Sequence, residues 1–260
     1  MNILNKNIYL NDFVPPIIHK MIRYVAKNRK IHPFDCVPKD INVHWILDVG
    51  ANMGDVSIAA MQSYPSSKVI CFEPVKQTYK LLEQNLMLYS NRVILFNQAL
   101  SDENGLGEIN LTTFNGANSI LPQSKSHQFF NPRVKEIGKE AITLVKLDDI
   151  ADKFPTNYID IMKIDVEGYE LNVLNGGREF IKDHVDTIII EIALMRDQSW
   201  NEQAIVDIFI TLKSLGFCLI NIIDLHHSDD SSMMLVQMDC IFRKNEKCEV
   251  DSLSQKKKLS

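Results

Sequence analysis

A glycine-containing turn at residues 48–55, with the sequence Asp-Val-Gly-Ala-Asn-Met-Gly-Asp, has the residue types of a ligand-binding loop. It joins a short apolar run to a helical pattern, and ligands of doubly wound α/β sheets bind at such strand ends. Gly50 and Gly54 permit a tight turn and a close backbone approach. Glu73 ends the next apolar run, where its carboxylate can accept hydrogen bonds from both hydroxyls of a ribose. Together they predict a site for a nucleoside cofactor; the alternative is a turn that only shapes the fold.

Two phosphate-binding motifs do not match this turn. The dinucleotide fingerprint has a glycine where this chain has Asn52, so a pyrophosphate would meet a side chain here. No Lys-Ser or Lys-Thr pair follows, so the P-loop is also absent. Asp48, at the start of the turn, suits a cationic ligand better than a polyphosphate. An NAD-linked oxidoreductase is therefore disfavoured.

These residues lie in a chain that alternates predicted strands and helices, an order typical of a parallel sheet with right-handed crossovers. The predicted strands are 44–49, 68–72, 93–96, 106–113, 141–147, 159–164, 187–192, 217–223 and 235–242. The predicted helices are 53–64, 76–89, 170–182 and 202–215, and a polar turn is predicted at 226–232. Residues 114–138 form a polar stretch too long for an inert connector, so we expect a lid or binding loop there.

Several ordered motifs resemble the FkbM-type family of S-adenosylmethionine-dependent methyltransferases. The most specific is Met-Lys-Ile-Asp-Val-Glu-Gly-Tyr-Glu at 162–170, and the glycine turn with Phe-Glu-Pro at 72–74 matches as well. Shorter matches lie at 99–102, 147–149, 174–177 and 190–192, so the resemblance spans about residues 43–242. It implies the class I methyltransferase fold, which is a Rossmann-like, seven-stranded, mostly parallel sheet with its last strand antiparallel and helices on both faces. It also implies O-methylation of a hydroxyl, in many members on sugars, glycans or polyketides.

The resemblance implies S-adenosylmethionine as the cofactor. The turn would surround its methionine part, Glu73 would hold its ribose, and the residues after the third strand would lie near its adenine. The cofactor-binding residues implied in this way are Asp48, Gly50, Asn52, Gly54, Glu73, Ala99 and Ser101.

Lys163, Asp165 and Glu167 are the expected catalytic residues. At the period of a strand, their side chains point to one side, toward the expected acceptor. Because an alcohol must lose its proton, a base within hydrogen-bond reach is required. We expect Asp165 or Glu167 to be this base, with a pKa raised by burial, and Lys163 to orient it or to stabilise an alkoxide. His127 is a rival base, and the alternative role of the two acids is capping of the helix that begins near Glu170.

A metal ion is conceivable at the same sheet edge. Asp165, Glu167 and Glu191 end predicted strands there, and their oxygens would suit Mg²⁺. No histidine or aspartate spacing requires an ion, so no bound metal is predicted.

Composition and charge limit the location and the partners of the protein. The net charge of −5 over 260 residues argues against general affinity for nucleic acid. No apolar run reaches the ~18 residues needed to span a bilayer. The five cysteines are odd in number and include no Cys-x-x-Cys pair, so a disulfide framework is not expected and a reducing compartment is favoured. We expect a cytoplasmic protein.

The first 40 residues are predicted to be a basic, amphipathic helical extension of a methyltransferase domain at 41–243. Five cations and no acids lie between Phe13 and Phe34, and apolar residues recur at helical spacing. Two interpretations stay open for residues 14–30: peripheral contact with an anionic inner-membrane surface, or packing on the domain with a solvated basic side. Residues 244–260 are predicted to be a flexible tail.

The leading functional hypothesis is an S-adenosylmethionine-dependent O-methyltransferase that acts on a small-molecule or glycan acceptor. The Pro-Pro leader resembles that of members associated with polysaccharide biosynthesis. Two alternatives are a catalytically silent, cofactor-binding scaffold subunit in polysaccharide assembly and, less favoured, the NAD-linked oxidoreductase. The sequence does not define the acceptor or the oligomeric state.

Overall fold

A seven-stranded sheet forms the centre of the protein. The structure, a computed structural model, describes residues 33–38, 42–121, 134–193, 202–227 and 235–245. The strands are β1 (Trp45–Val49), β2 (Lys68–Phe72), β3 (Val93–Phe96), β4 (Ala99–Leu100), β5 (Gly105–Thr112), β6 (Glu136–Val145), β7 (Ile159–Ile164), β8 (Val185–Ala193), β9 (Phe217–His227) and β10 (Leu235–Lys244). The α-helices are α1 (Asp55–Ser63), α2 (Lys76–Asn85), α3 (Leu147–Ile150), α4 (Glu170–Gly176), α5 (Arg178–His184) and α6 (Glu202–Ser214). Short 3₁₀ turns lie at Pro33–Cys36, Met87–Tyr89, Asn115–Ala117 and Ala151–Lys153.

The strand order in the large sheet is β3-β2-β1-β7-β8-β10-β9. The first five of these strands are parallel, and β10 is antiparallel to both β8 and β9. This arrangement confirms the predicted mostly parallel sheet with an antiparallel last strand. Because β1 lies beside both β2 and β7, the carboxyl ends of these three strands meet at one edge.

The core lies on both faces of this sheet. Leu47 and Val49 of β1 pack into one apolar cluster and Ile46 packs into the other, as expected for side chains that alternate along a strand. Helix α1 contributes Ala60 and Met61 to the second cluster, whereas α4, α5 and α6 pack on the first. The predicted helices on both faces are thus confirmed.

A small second sheet, with the order β4-β6-β5, is inserted between β3 and β7. Strands β5 and β6 pair antiparallel, which confirms the predicted additional strands. An isolated bridge between Asn110 and Ser119 folds the chain after β5 back onto this sheet.

Several predicted boundaries are wrong. The helix predicted at 170–182 is divided into α4 and α5 at Gly176-Gly177, because glycine disfavours the interior of a helix. Gly176 also packs closely against Ser101, since a Cβ would lie 1.8 Å from the Ser101 carbonyl oxygen. The polar turn predicted at 226–232 does not include His226 and His227, since β9 continues to His227 and pairs with β10. The tail was predicted to begin at Lys244, but Lys244 is the last residue of β10.

Other predictions concern residues outside the described ones. These are the basic helix at 14–30, His127 in the polar loop and the tail beyond Asn245. Within the described ranges, none of the helices has the length and apolarity needed to cross a membrane. Cys71 and Cys240 are buried free thiols, whereas Cys218 is disulfide-bonded, which departs from the expectation of reduced cysteines.

Candidate functional site

A cleft of about 230 Å³ lies at the carboxyl ends of β1, β2 and β7. Its lining comes from the turn after β1, the end of β2, β4, the loop after β5 and the loops after β7. Six of the residues predicted from the sequence line it: Gly50, Asn52, Glu73, Ala99, Asp165 and Glu167. The sheet topology therefore brings together residues that are more than 100 positions apart in the chain.

The turn after β1 is fastened to the ends of both neighbouring strands. The backbone N–H groups of Gly50 and Ala51 donate to the carbonyl oxygen of Phe72, at 3.0 and 2.9 Å. Gly50 has a φ of 84°, and a Cβ at this position would lie 1.9 Å from the carbonyl oxygen of Asp165. Asn52 has a φ of 47°, a left-handed conformation that asparagine tolerates better than most residues. A residue with a Cβ would therefore not fit at position 50, because Gly50 contacts the backbone of the loop after β7.

Glu73 is held in the cleft by backbone donors. The N–H of Asn52 donates to Oε2 at 3.0 Å, and the N–H of Val75 donates to Oε1 at 2.9 Å. Burial raises the pKa of Glu73 to about 7, although these two hydrogen bonds oppose the shift. The carboxylate is fixed in orientation and can accept further hydrogen bonds, since each oxygen has two lone pairs.

The side chain of Asn52 also has an unsatisfied atom. Its Oδ1 is buried and has no hydrogen-bond partner among the described residues. Buried polar atoms are normally paired, so this oxygen is ready to accept a hydrogen bond from a ligand in the cleft.

Lys163 and Asp165 form a partly buried ion pair. Lys163, in β7, is only 3% exposed, and its Nζ lies 3.1 Å from Asp165 Oδ2 and 3.7 Å from Asp239 Oδ1. Burial alone would lower the pKa of Lys163, but the charges of Asp165, Asp239 and Glu191 outweigh it and raise this pKa above its usual value. Lys163 therefore stays charged.

Glu167 reaches the cleft by a different route from the predicted one. Strand β7 ends at Ile164, so the strand alternation does not extend to Glu167. Instead the backbone turns, with a φ of 60° at Glu167 and 97° at Gly168. Glu191, from β8, lies beside it, and carboxylate oxygens of Asp165, Glu167 and Glu191 lie within 4.8 Å of one another.

The environment of Glu191 disfavours its charged form. Burial raises its pKa well above the usual value, the charge of Asp165 raises it further, and Lys163 opposes the shift. Its Oε1 accepts a hydrogen bond from Gln237 Nε2, whereas its buried Oε2 accepts none from an N–H or alcohol donor in the described part of the chain and has the carboxyl group of Asp165 as its polar neighbour.

The cap of α4 does not come from the residue before the helix. The N-cap residue, Tyr169, makes no side-chain cap hydrogen bond. The carboxylate of Glu170 itself accepts a hydrogen bond from the N–H of Gly168 at 2.9 Å. Burial raises the pKa of Glu170 to about 7. Glu170 thus supplies a local acceptor at this end of the helix.

Four predicted site residues lie behind the cleft lining. Asp48 is buried and accepts a hydrogen bond from the hydroxyl of Ser57, and burial raises its pKa to about 6. Gly54 packs against Leu82, and Lys163 lies beneath Asp165. Ser101 is fully buried, and its Oγ lies 3.1 Å from the hydroxyl of Tyr169, which does line the cleft.

The loop after β5 closes one side of the cleft. Asn115, Gly116, Asn118 and Ile120 are part of its lining. The hydroxyl of Ser119 donates to the carbonyl oxygen of Glu167 at 2.7 Å. The start of the predicted polar loop is therefore attached to the turn that carries the candidate acids.

The sequence did not predict that side chains of β10 lie next to the candidate acids. Asp239 pairs directly with Glu191 across β8 and β10, and Gln237 donates to Glu191. The available signal was the polar pair Gln237 and Asp239, two positions apart in an otherwise apolar strand, which places both side chains on one face.

A family model and two known proteins that match this chain are named as methyltransferases. The family model described as "Methyltransferase FkbM domain" matches residues 48–219. The chain is 29% identical over 177 residues to "Methyltransferase sdnD" of Sordaria araneosa, covering 56% of this chain and 65% of that protein. It is 29% identical over 140 residues to "2-O-methyltransferase NoeI" of Sinorhizobium fredii, covering 52% of this chain and 57% of that protein.

A similar fold occurs in a solved structure. The methyltransferase FkbM from Methylobacillus flagellatus superposes with a TM-score of 0.53 at 16% sequence identity. The superposition covers 85% of this chain but 50% of the other. The chain thus spans about half to two thirds of the length of these three proteins.

Proposed function

Because the chain belongs to the FkbM methyltransferase family, we propose that it uses S-adenosylmethionine to methylate a hydroxyl of a sugar, a glycan or a related small molecule. The observation that carries this proposal is the position of Glu73 in the cleft, held by the N–H groups of Asn52 and Val75. A carboxylate fixed at the end of the second strand suits the two hydroxyls of a ribose.

The residues of the cleft fit S-adenosylmethionine. Glu73 would hold the ribose, and the buried, unpartnered Oδ1 of Asn52 would accept a hydrogen bond from an N–H of the cofactor. Ala99, in the cleft lining, is the candidate for contact with the adenine, and Gly50 keeps the turn free of a side chain. When bound, S-adenosylmethionine supplies an electrophilic methyl group on a positively charged sulfur.

The charge of the cleft supports a cationic ligand. Asp165, Glu167, Glu191 and Glu73 all line it, and Lys163 lies behind Asp165. In a partly buried cleft, such carboxylates interact with a cation more strongly than in water. The same residues would disfavour a polyphosphate.

Asp165 and Glu167 are the proposed bases for the acceptor hydroxyl. Both line the cleft after β7, which β1 separates from the end of β2 and Glu73, and Glu167 is bonded to the loop that contains Ser119. Lys163 fixes the orientation of Asp165 through its 3.1 Å contact. Glu167 is held by its backbone, since its carbonyl oxygen accepts the Ser119 hydroxyl. Transfer to oxygen is supported by the relative that is named as a 2-O-methyltransferase.

Two measurements test the proposed function. First, isothermal titration calorimetry with S-adenosylmethionine on the wild type and on Glu73→Gln should show binding that is at least ten-fold weaker in the variant. Second, incubation with radiolabelled cofactor and a panel of glycosides should give a labelled product, with NMR locating the methyl group on oxygen.

Each outcome has a definite consequence. Absence of cofactor binding by the folded wild type would overturn the proposal, as would a product methylated on nitrogen or carbon. Cofactor binding without turnover on any acceptor would support the scaffold alternative. The exposed Glu83 on α2 provides the matched control, and Glu83→Gln is expected to bind like the wild type.

A further inference from the structure

Three carboxylates converge at the cleft from two different strands. Asp165 and Glu167 follow β7, Glu191 belongs to β8, and one oxygen of each lies within 4.8 Å of the others. Two ligands on opposite sides of a Mg²⁺ or Ca²⁺ ion lie about 4–5 Å apart, because the metal–oxygen distances are about 2.0–2.6 Å. The three oxygens can therefore contact one ion after small side-chain rotations.

A second, independent observation points to a missing partner at this cluster. Glu191 is only 7% exposed and lines the cleft, and among the described residues its Oε2 accepts no hydrogen bond from an N–H or alcohol donor; its polar neighbour is the carboxyl group of Asp165. Its other oxygen is occupied by Gln237 Nε2, which fixes the side chain. Since a buried carboxylate oxygen without a donor is costly, a ligand is expected to occupy this position.

The excess of negative charge at the cluster also favours a cation. Lys163 Nζ contacts both Asp165 and Asp239, so one positive charge is shared by these two carboxylates. With Glu167 and Glu191 included, the four acids carry up to three negative charges that Lys163 does not balance. A divalent ion would neutralise most of this charge, whereas a neutral ligand would not.

We propose that Asp165, Glu167 and Glu191 bind a divalent cation, with Mg²⁺ favoured by the donor set. All three donors are carboxylate oxygens, and the described lining of the cleft includes no histidine or cysteine, which would favour softer metals. The sequence predicted no bound metal, because its residue spacing did not require one. The tertiary structure changes this conclusion, since it brings oxygens of the three carboxylates within 4.8 Å of one another.

A bound ion would favour acceptors with two neighbouring hydroxyl groups. This part of the proposal rests on the proposed function. An octahedral ion with three protein oxygens leaves about three positions for water or substrate. Two neighbouring hydroxyl oxygens of a vicinal diol, such as those of a sugar ring, can fill two of them. The ion also lowers the pKa of a bound hydroxyl, which reduces the basicity required of a carboxylate.

The test measures binding of the metal alone, without cofactor or acceptor. The full chain is treated with EDTA, dialysed and titrated with Mn²⁺, whose free concentration is followed by electron paramagnetic resonance; Mg²⁺ then serves as a competitor. We expect one Mn²⁺ per chain in the wild type, displacement by Mg²⁺, and at least ten-fold weaker binding in Glu191→Gln. Glu83→Gln is the matched control and should bind like the wild type.

The outcomes separate the metal site from the proposed function. Absence of saturable Mn²⁺ binding, or equal binding by the wild type and a folded Glu191→Gln, would overturn the metal site and leave methyl transfer untouched. If Glu191→Gln is unfolded by circular dichroism, Glu167→Gln, whose side chain is less buried, takes its place in the same comparison. Metal binding without any methyl transfer would retain the site and reject the function. A preference for glycosides with vicinal diols, lost on EDTA treatment, would support both.

Discussion

Gly50 and Asp165 are in direct backbone contact: a Cβ on Gly50 would lie 1.9 Å from the carbonyl oxygen of Asp165. The N–H of Asp165 in turn donates to the carbonyl oxygen of Val49 at 3.0 Å. The proposed cofactor turn and the proposed catalytic loop therefore form one rigid unit at the end of β1 and β7. Because these contacts join backbone atoms, a change in the backbone conformation of either segment should affect both, whereas a side-chain substitution need not.

Gly50→Ala tests this coupling. The substitution combines an unfavourable φ of 84° with a clash against backbone atoms that cannot rotate away. We expect a loss of at least about 3 kcal/mol in the free energy of unfolding, measured by urea denaturation, together with loss of S-adenosylmethionine binding. Gly138→Ala, at a position with nothing within 4 Å of the added Cβ, is the control and should be nearly neutral. A stable Gly50→Ala protein that binds the cofactor normally would contradict the coupling.

Glu73 should make the stability depend on pH. Its pKa is about 7 in the folded protein against 4.5 for an ordinary glutamate, chiefly because of burial. Between these pH values the folded chain retains a proton that the unfolded chain releases, so the free energy of unfolding falls as pH rises through this window. Above pH 7 the loss from this residue is constant.

Substitution by glutamine should remove that dependence. The difference in unfolding free energy between Glu73→Gln and the wild type should shift in favour of the variant by about 1–3 kcal/mol between pH 4.5 and pH 8. Urea denaturation of both proteins at several pH values measures it. A difference that is independent of pH, or that shifts toward the wild type with rising pH, would show that Glu73 is not desolvated in this way.

Asp165→Asn separates an enzyme from a silent scaffold. The amide cannot act as a base, so kcat for the acceptor should fall at least about 100-fold while the Kd for S-adenosylmethionine changes less than about three-fold. Loss of the 3.1 Å contact with Lys163 should also cost about 1–3 kcal/mol of stability. Steady-state kinetics, calorimetry and denaturation measure the three effects, with the exposed Asp152→Asn as the control. An unchanged kcat would exclude Asp165 as the base.

Ser119→Ala tests the attachment of the loop after β5. The variant loses the 2.7 Å hydrogen bond to the Glu167 carbonyl oxygen and the bond that Ser119 Oγ accepts from the N–H of Leu121. We expect a stability loss of about 1 kcal/mol and an acceptor KM raised several-fold, with little change in cofactor affinity. Ser214→Ala loses a comparable pair of bonds on α6, far from the cleft, and should leave KM unchanged. Equal effects of the two variants on KM would indicate that the loop does not contact the acceptor.

Local patterns predicted the elements of the fold better than their ends. Strand β7 at Ile159–Ile164 was predicted to the residue, because a short apolar run between a polar loop and a glycine turn has few alternatives. The break at Gly176-Gly177 was missed although a pair of glycines is a local signal against a continuous helix. The close contact of Gly176 with Ser101 had no such local signal. The extension of β9 to His227 was missed because its polar residues pair with β10 rather than follow an apolar pattern.

The site was predictable where it depends on a single strand end. Glu73 lies in the cleft because an acid at the end of β2 must lie at the carboxyl edge of a parallel sheet next to β1. The sequence also placed Asp165 and Glu167 at that edge, although Glu167 arrives there through a left-handed turn. Asp48, Gly54 and Ser101 were predicted in the same way but lie behind the lining of the cleft. Whether a residue near a strand end lines the cleft depends on how the neighbouring helices pack.

The sequence by itself determined the order of strands and helices, the glycine turn and the acid at the end of β2, since all of these follow from periodicity and turn chemistry over short distances. The sequence also placed Glu191 at the same sheet edge as Asp165 and Glu167, but the tertiary structure alone decided that their oxygens lie within 4.8 Å of one another, that Asp239 and Gln237 of β10 flank Glu191, and that Gly50 contacts Asp165. These relationships depend on strand order and register across the sheet, and residues on different strands leave no mark of their pairing in local sequence.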